Sequence, residues 1–232
     1  MMVFALSGFT RSKEYKEINA KVVSHIKIPH WYHEGIYLFG NDIWVNNGER
    51  GDTWVINKSS GNVTRSIKSA GPFTEAVIPK DKDTFYASDW DAEKVFISDI
   101  EENKMCAITE KSVGPAHPAG VAWNGSNLFV ITWTRSMTGT KFHLLKMDPD
   151  LNILSSEEID KILEPAHMAW DGKYMWISCW FSKRIYKIDL EKSQILGYMS
   201  SPANRTTGIA WDGKDLWVTG TYDDLYKLEL VD

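Results

Sequence analysis

The sequence predicts an all-β fold, a five-bladed β-propeller with four short strands in each blade. Three observations lead to this prediction. One segment recurs five times along the 232 residues, each copy holds several short apolar runs, and Gly, Asp or Asn residues separate those runs. Repeats of roughly forty residues that contain four short strands are typical of propeller blades.

The recurring segment is clearest in "HMAWDGKYMWISC" from His167 and "GIAWDGKDLWVTG" from Gly208. The five copies are anchored near residues 35, 76, 120, 167 and 208, so successive spacings are 41, 44, 47 and 41. An apolar pair stands nine residues after each anchor and marks the centre of a strand. These pairs are Trp44-Val45, Phe85-Tyr86, Phe129-Val130, Trp176-Ile177 and Trp217-Val218.

Two further strands follow in each copy. One alternates apolar and polar residues and ends near Asp, Asn or Glu, as in "WVIN", "VFISD", "LLKMD", "IYKID" and "LYKLE". The next is "NVTRSIKS", "KMCAIT", "NILSSEEI" or "QILGYMSS". The fifth copy stops before this strand, which would leave a sheet edge unpaired.

The N-terminal run "VVSHIKI", about Val22 to Ile28, supplies the missing strand. It begins 13 residues before anchor 35, the same offset that separates Val63 from anchor 76 and Ile195 from anchor 208. We therefore expect this strand to join the three C-terminal strands and close the ring. The interpretation is one propeller domain over residues 1–232, with residues 1–20 as an N-terminal extension.

Composition excludes several function classes. The 26 basic and 31 acidic residues give a net charge of −5, and no basic run is present, so nucleic acid is not expected as a partner. No apolar run is long enough to cross a bilayer, so we expect a soluble protein without a membrane partner. No clear signal peptide opens the chain, which favours a cytoplasmic location. We expect a monomer, with Cys106 and Cys179 as free thiols in different blades.

The starts of first strands and the ends of second strands lie on one face of a propeller, because neighbouring strands are antiparallel. Aromatic side chains gather there, with Trp90, Trp133 and Trp180 at equivalent strand ends. Trp123, Trp170 and Trp211 lie inside first strands, where blade packing explains them. An aromatic pocket with few polar groups is the usual form of a small-ligand site. The candidate binding residues are Tyr32, Glu34, Phe73, Trp90, His117, Trp133, Trp180, Thr221 and Tyr222.

Two other features map to the same face. Residues 134–142, "TRSMTGTKF", predict a longer loop that either covers the pocket or is a tolerated insertion. His33, His117 and His167 come from three copies and, with Glu34 or Glu75, form an alternative metal-ligand set. The three histidines stand at different offsets from their anchors, so we do not expect them to lie at one level of the fold. The favoured interpretation therefore has no metal and no other cofactor.

Several segments resemble the plant and bacterial type of glutaminyl cyclotransferase, a five-bladed propeller that converts N-terminal glutamine to pyroglutamate and releases ammonia without a metal. "FTEAV" is similar to that family's F-G-E-G segment, and "MWISCWFSKRIYKID" to its W-A-N-x-W segment. "YHEGIYLFGNDIWVNNG" and "TGIAWDGKDLWVTGTYDDLYKLEL" resemble its opening and closing segments. The resemblance covers nearly the whole chain.

The resemblance implies that Glu75 is the catalytic acid–base group, with Phe73, Trp90 and Trp180 as pocket walls. Other positions depart from the family pattern. Glu34 stands in place of a glutamine, Ala119 of a tryptophan and Thr221 of a lysine. Family members are largely exported, in contrast to the cytoplasmic expectation. The scaffold match is therefore stronger than the catalytic match.

Three functions follow as hypotheses. The first is a cyclotransferase-like enzyme that acts on the amino end of a peptide or on a small amine. The second is a non-catalytic propeller whose aromatic ring binds a small molecule or peptide. The third is a metal-dependent hydrolase or lactonase that uses Glu34, Glu75 and the histidines.

Overall fold

The computed structural model describes residues 15–231, and these residues form twenty β-strands and no helix. The fold is therefore all-β, as predicted. No helix within these residues is long and apolar enough to cross a membrane. Of the predicted N-terminal extension, residues 1–14 lie outside the described part of the chain.

The strands fall into five four-stranded units, listed in chain order. The first nine strands are β1 (Ala20–Ile26), β2 (His33–Phe39), β3 (Asp42–Asn47), β4 (Asp52–Asn57), β5 (Val63–Lys68), β6 (Thr74–Pro79), β7 (Phe85–Asp89), β8 (Lys94–Glu101) and β9 (Lys104–Ser112). Next come β10 (His117–Trp123), β11 (Leu128–Ser136), β12 (Gly139–Met147), β13 (Ile153–Glu158), β14 (Pro165–Trp170), β15 (Met175–Cys179), β16 (Arg184–Asp189) and β17 (Gln194–Ser200). The last three are β18 (Thr206–Trp211), β19 (Leu216–Gly220) and β20 (Leu225–Leu230).

Neighbouring strands within each unit are antiparallel, and the first strands lie together. Three units form separate sheets, namely β10–β13, β14–β17, and β18–β20 together with β1. The other two units, β2–β5 and β6–β9, are joined into one eight-stranded sheet. The link is a single parallel pair, Lys68 with Lys104, where two outer strands meet. The first strands β2, β6, β10, β14 and β18 contact one another in a closed cycle. The result is a propeller-like arrangement around a central axis.

The repeated Trp-Asp-Gly segment has a structural cause. Asp171 accepts hydrogen bonds from the backbone N–H groups of Lys173 and Tyr174, which holds the turn between β14 and β15. Its second carboxylate oxygen accepts the indole N–H of Trp176 at 2.8 Å, a side chain that is completely buried. Asp212 does the same for Trp217 at 2.9 Å. The repeat thus buries a large indole while its polar group stays satisfied.

The N-terminal strand joins the C-terminal unit as predicted. β1 pairs with β20, and the strand order of this sheet is β1-β20-β19-β18. The strand covers Ala20–Ile26, so the predicted range of Val22 to Ile28 is two residues late. Just past the strand, Asp224 accepts a hydrogen bond from the Ile28 amide at 3.3 Å.

Two other sequence expectations concern local structure. The predicted loop at residues 134–142 was wrong, since it belongs mostly to strands β11 and β12, which are nine residues long each. Its pairs continue from Thr134–Lys141 to Ser136–Gly139, so the segment is an extended hairpin. Cys106 and Cys179 are free cysteines, as expected.

Candidate functional site

A cavity of about 270 Å³ opens where the first strands begin. Its walls come from different units, because the first strands converge at this face. Aromatic and small apolar residues form most of the wall, and five residues add polar or charged groups. The lining consists of Tyr32, Phe73, Trp90, Trp133, Trp180, Ala119 and Ala166, with Glu34, Glu75, Asp91, Arg135 and Thr207.

Glu34 and Glu75 are the second residues of β2 and β6. The register of β2 with β3 shifts between His33 and Ile36, and that of β6 with β7 shifts between Thr74 and Ala76. Irregularities of this kind re-aim a side chain and leave the residue outside regular pairing. Because of these shifts, Glu34 and Glu75 lie outside the regular strand pairing, at the point where their strands reach the cavity.

Buried hydrogen bonds fix these strand starts. Asp89 accepts from the Phe73 amide at 2.9 Å and from the Thr74 hydroxyl at 3.3 Å. Thr207 donates its hydroxyl to the carbonyl of His33 at 2.8 Å. A β-carbon at Gly35 would lie 2.7 Å from the Glu75 carbonyl, so the two strands approach as closely as glycine permits.

The carboxyl groups of Glu34 and Glu75 are within hydrogen-bonding reach of each other. Glu34 is only 6% exposed. Burial raises the pKa of Glu75 to about 8, with the charges of Asp89 and Asp91 acting in the same direction and the Glu34 hydrogen bond opposing them. Burial, followed by the charge of Glu75, raises the pKa of Glu34 well above its usual range. Because both pKa values are raised, the pair binds protons at pH values where isolated carboxyl groups would be ionised.

Three indoles form a row along one wall. The rings of Trp90 and Trp133 are 5.6 Å apart and nearly perpendicular, and those of Trp133 and Trp180 are 6.3 Å apart with the same tilt. Trp133 donates its N–H to the Pro165 carbonyl at 2.8 Å. The indole nitrogen of Trp180 is buried and has no hydrogen-bond partner within residues 15–231.

Tyr32 forms a further part of the wall. Its ring meets Phe73 edge to face at 5.9 Å and Tyr222 at 5.6 Å. Burial, and then the charges of Glu34 and Glu75, raise the pKa of Tyr32 to about 12. The phenol therefore stays protonated and is available as a neutral hydrogen-bond donor near the carboxyl pair.

The structure brings six predicted binding residues and Glu75 to the cavity wall, whereas the three other predicted residues do not line it. His117 stacks on Trp90 with ring centres 4.6 Å apart, and Tyr222 packs on Tyr32. Thr221 is buried. No sequence pattern pointed to Asp91 or Ala166, which also line the cavity. The available signal for Asp91 was its place directly after Trp90 at the end of a second strand.

The predicted metal alternative finds no support in the described residues. Between residues 15 and 231, no group of three or more His, Cys, Asp or Glu side chains is arranged to hold a metal ion. The ring nitrogens of His33, His117 and His167 instead lie within hydrogen-bonding distance of backbone carbonyls. Burial lowers the pKa of His167 to about 4, so this imidazole is neutral.

The fold is similar to that of several solved propeller enzymes. Glutaminyl cyclase from Myxococcus xanthus superposes with a TM-score of 0.72 over 94% of this chain and 100% of that chain, at 14% identity. Aldose sugar dehydrogenase from Streptomyces coelicolor, in its PQQ-bound form, gives 0.59 over 92% and 98%, at 12% identity. Virginiamycin B lyase from Staphylococcus aureus gives 0.56 over 92% and 100%, at 10% identity.

These likenesses concern the fold alone, because every identity is low. They confirm the predicted structural resemblance to a glutaminyl cyclase propeller. No protein-family model matches the sequence, and no curated protein matches it either.

Proposed function

We propose that this protein is a glutaminyl cyclotransferase-like enzyme that cyclises an N-terminal glutamine and releases ammonia. The observation that carries the proposal is the Glu34–Glu75 carboxyl pair at an aromatic-walled cavity. We further propose that the five four-stranded units are the blades of one propeller domain, with β1 closing the ring. The cycle of contacts among first strands supports this assignment.

The reaction needs one proton to move between two nitrogens of the substrate. The α-amine nitrogen attacks the side-chain amide carbon, a new C–N bond closes the five-membered ring, and the bond to the amide nitrogen breaks. Glu75 takes a proton from the α-amine and returns it to the departing nitrogen, which leaves as ammonia. One carboxyl group near both nitrogens performs both transfers, and no oxidant or other reactant is required.

The raised pKa of Glu75 suits this role. An α-amino group has a pKa of about 8, and the pKa of Glu75 is raised to about 8. A proton can therefore pass between them with little free-energy cost. Protonated Glu34 donates a hydrogen bond to the Glu75 carboxylate, and this hydrogen bond holds the carboxylate in place.

The walls have distinct proposed roles. Phe73, Trp90 and Trp133 exclude water and hold the glutamine side chain folded toward its own amine. The buried Trp180 N–H, which lacks a partner among the described residues, donates to the amide oxygen as negative charge develops there. His117 and Tyr222 position Trp90 and Tyr32.

A non-catalytic amine-binding propeller is the second candidate. Ala119 is 3% exposed and lines the cavity where the resembled family has an indole. Thr221 offers no cation where that family has a lysine. The aromatic walls and the carboxyl pair would still bind an ammonium group by cation–π contacts and charge.

Incubation of the metal-stripped protein with glutamine-leading peptides separates these functions. We expect ammonia release together with the peptide mass loss of one ammonia. Glu75→Gln should abolish both while peptide binding is largely retained. Binding without turnover in the wild type would favour the second candidate, and full activity of Glu75→Gln would exclude Glu75 as the proton shuttle.

A further inference from the structure

We propose that the mouth of the cavity binds a carboxylate through the guanidinium group of Arg135 or of Arg205, one at each end of the row of indoles. The preferred ligand then carries an amino group at one end and a carboxylate on the next residue or two. This inference rests on the proposed function, because it assumes that the amino end of the ligand enters the cavity.

Arg135 and Arg205 lie at opposite ends of the row of indoles. Arg135, near the end of β11, lines the cavity, and its guanidinium carbon is 5.6 Å from the centre of the Trp90 ring. Arg205, just before β18, lies 5.8 Å from the Trp180 ring and 5.4 Å from Phe181. Trp90 and Trp180 both line the cavity, so each end of the row of indoles has a guanidinium group beside it.

Neither guanidinium group is neutralised by a neighbouring acid. The one arginine ion pair formed within residues 15–231 joins Arg50 to Asp52. A guanidinium that stacks on an aromatic ring keeps its N–H edge free, and this edge matches a carboxylate with two hydrogen bonds. Stacking also limits the motion of the side chain, which reduces the entropy lost on binding.

The charges of the site are arranged for a ligand with two ends. Glu34 and Glu75 offer acid groups at the strand starts, and Asp91 also lines the cavity. Arg135 and Arg205 offer cations on the indole side. A cavity of about 270 Å³ is small for a ligand site. It therefore favours one enclosed residue, with the carboxylate on the following residue at the mouth.

The test compares three peptides that differ in where the carboxylate stands. These are Gln-Ala free acid, Gln-Ala amide and Gln-Glu-Ala amide, which separate a C-terminal carboxylate from an acidic side chain. We expect kcat/KM for a carboxylate-bearing peptide to exceed that for Gln-Ala amide by about 3- to 10-fold in the wild type. Comparison of kcat/KM for Gln-Ala free acid and for Gln-Glu-Ala amide shows whether a C-terminal carboxylate or an acidic side chain is preferred.

The double variant Arg135→Gln, Arg205→Gln should remove this preference, so that kcat/KM for each carboxylate-bearing peptide falls to the value that the same variant gives for Gln-Ala amide. Arg184→Gln is the matched control, because Arg184 also stacks on an aromatic ring, Tyr198 at 4.4 Å, but does not line the cavity. This control should keep the preference. Both arginines of the mouth are exposed, so the double variant should fold like the wild type.

Peptide binding, followed by indole fluorescence, separates this inference from the cyclotransferase function. If no peptide is cyclised but the carboxylate-bearing peptides bind more tightly, only the cyclotransferase proposal fails. If all peptides are cyclised equally well, or the preference survives in the double variant, the carboxylate site is wrong. If no peptide binds, both proposals are wrong.

Discussion

The carboxyl groups of Glu34 and Glu75 meet within hydrogen-bonding reach although they belong to the first strands of different units. Two like-charged groups in a buried site cannot both ionise at neutral pH without a large cost. The pair therefore acts as one titrating unit. Its protonation state governs whether the site presents a base to an entering amine.

Replacements of Glu34 should separate its hydrogen bond from its charge. Glu34→Gln keeps a donor for the Glu75 carboxylate, so we expect activity and the pH midpoint of kcat/KM to stay near those of the wild type. Glu34→Leu removes the hydrogen bond that lowers the pKa of Glu75. The midpoint should then move to higher pH, and activity at pH 7 should fall. Identical pH profiles for the two variants would contradict the coupling.

The stability of the protein should report the raised pKa of Glu75 directly. This group ionises near 4.5 when unperturbed and near 8 in the folded protein. Between these values the folded state binds the extra proton, so the wild-type free energy of unfolding falls as pH rises from about 5 to about 8. The Glu75→Gln variant has no such loss. Its stability relative to the wild type should rise by about 3–4 kcal/mol over this range in urea unfolding. Exposed Glu157→Gln on β13 is the control, and a flat difference for Glu75→Gln would contradict the prediction.

The indoles of Trp133 and Trp180 should respond differently to the same substitution. Trp133→Phe leaves the buried Pro165 carbonyl without its donor, so we expect a loss of about 1–3 kcal/mol in unfolding free energy. Trp180→Phe breaks no hydrogen bond within the described residues, so its stability should change less. If Trp180 donates to the substrate, its replacement should lower kcat about 10- to 100-fold. Unchanged kcat would show that this N–H does not act in the reaction.

The attachment of the N-terminal strand should depend on Asp224. Its carboxylate meets the Nε2 atoms of His25 at 2.6 Å and His30 at 2.8 Å. Burial alone would raise the pKa of Asp224, but hydrogen bonds from His30, His25 and the Ile28 amide outweigh it and hold the pKa below its usual value. The stabilisation is thus present above pH 4 and is lost as pH falls through the folded-state pKa.

Asp224→Ala should lower the free energy of unfolding by about 1–3 kcal/mol at pH 7 and expose β1 to proteases. Asp83→Ala, in an exposed turn, is the matched control and should change little. If Asp224→Ala unfolds like the wild type at pH 7, β1 is held by its pairing with β20 alone.

The sequence predicted the order of the strands because each repeat carries its own local signals. The Trp-Asp-Gly turn, the apolar pair nine residues after each anchor and the alternating third strand all form from neighbouring residues. The N-terminal strand was predicted by its spacing, and only its limits were shifted. The hairpin of β11 and β12 was mistaken for a loop because its Thr, Ser and Gly residues are typical of turns, whereas cross-strand pairing keeps them extended.

The sequence by itself thus determined the all-β class, the repeating units and the face on which aromatic and acidic residues gather. Only the tertiary structure decided that the carboxyl groups of Glu34 and Glu75 come within reach of each other, that Trp180 lacks a partner within residues 15–231, and that His117 stacks on Trp90. Local pattern fixes which residue begins a strand. The distance between side chains of different units depends instead on how the first strands pack and where their registers shift, and those are properties of the folded chain.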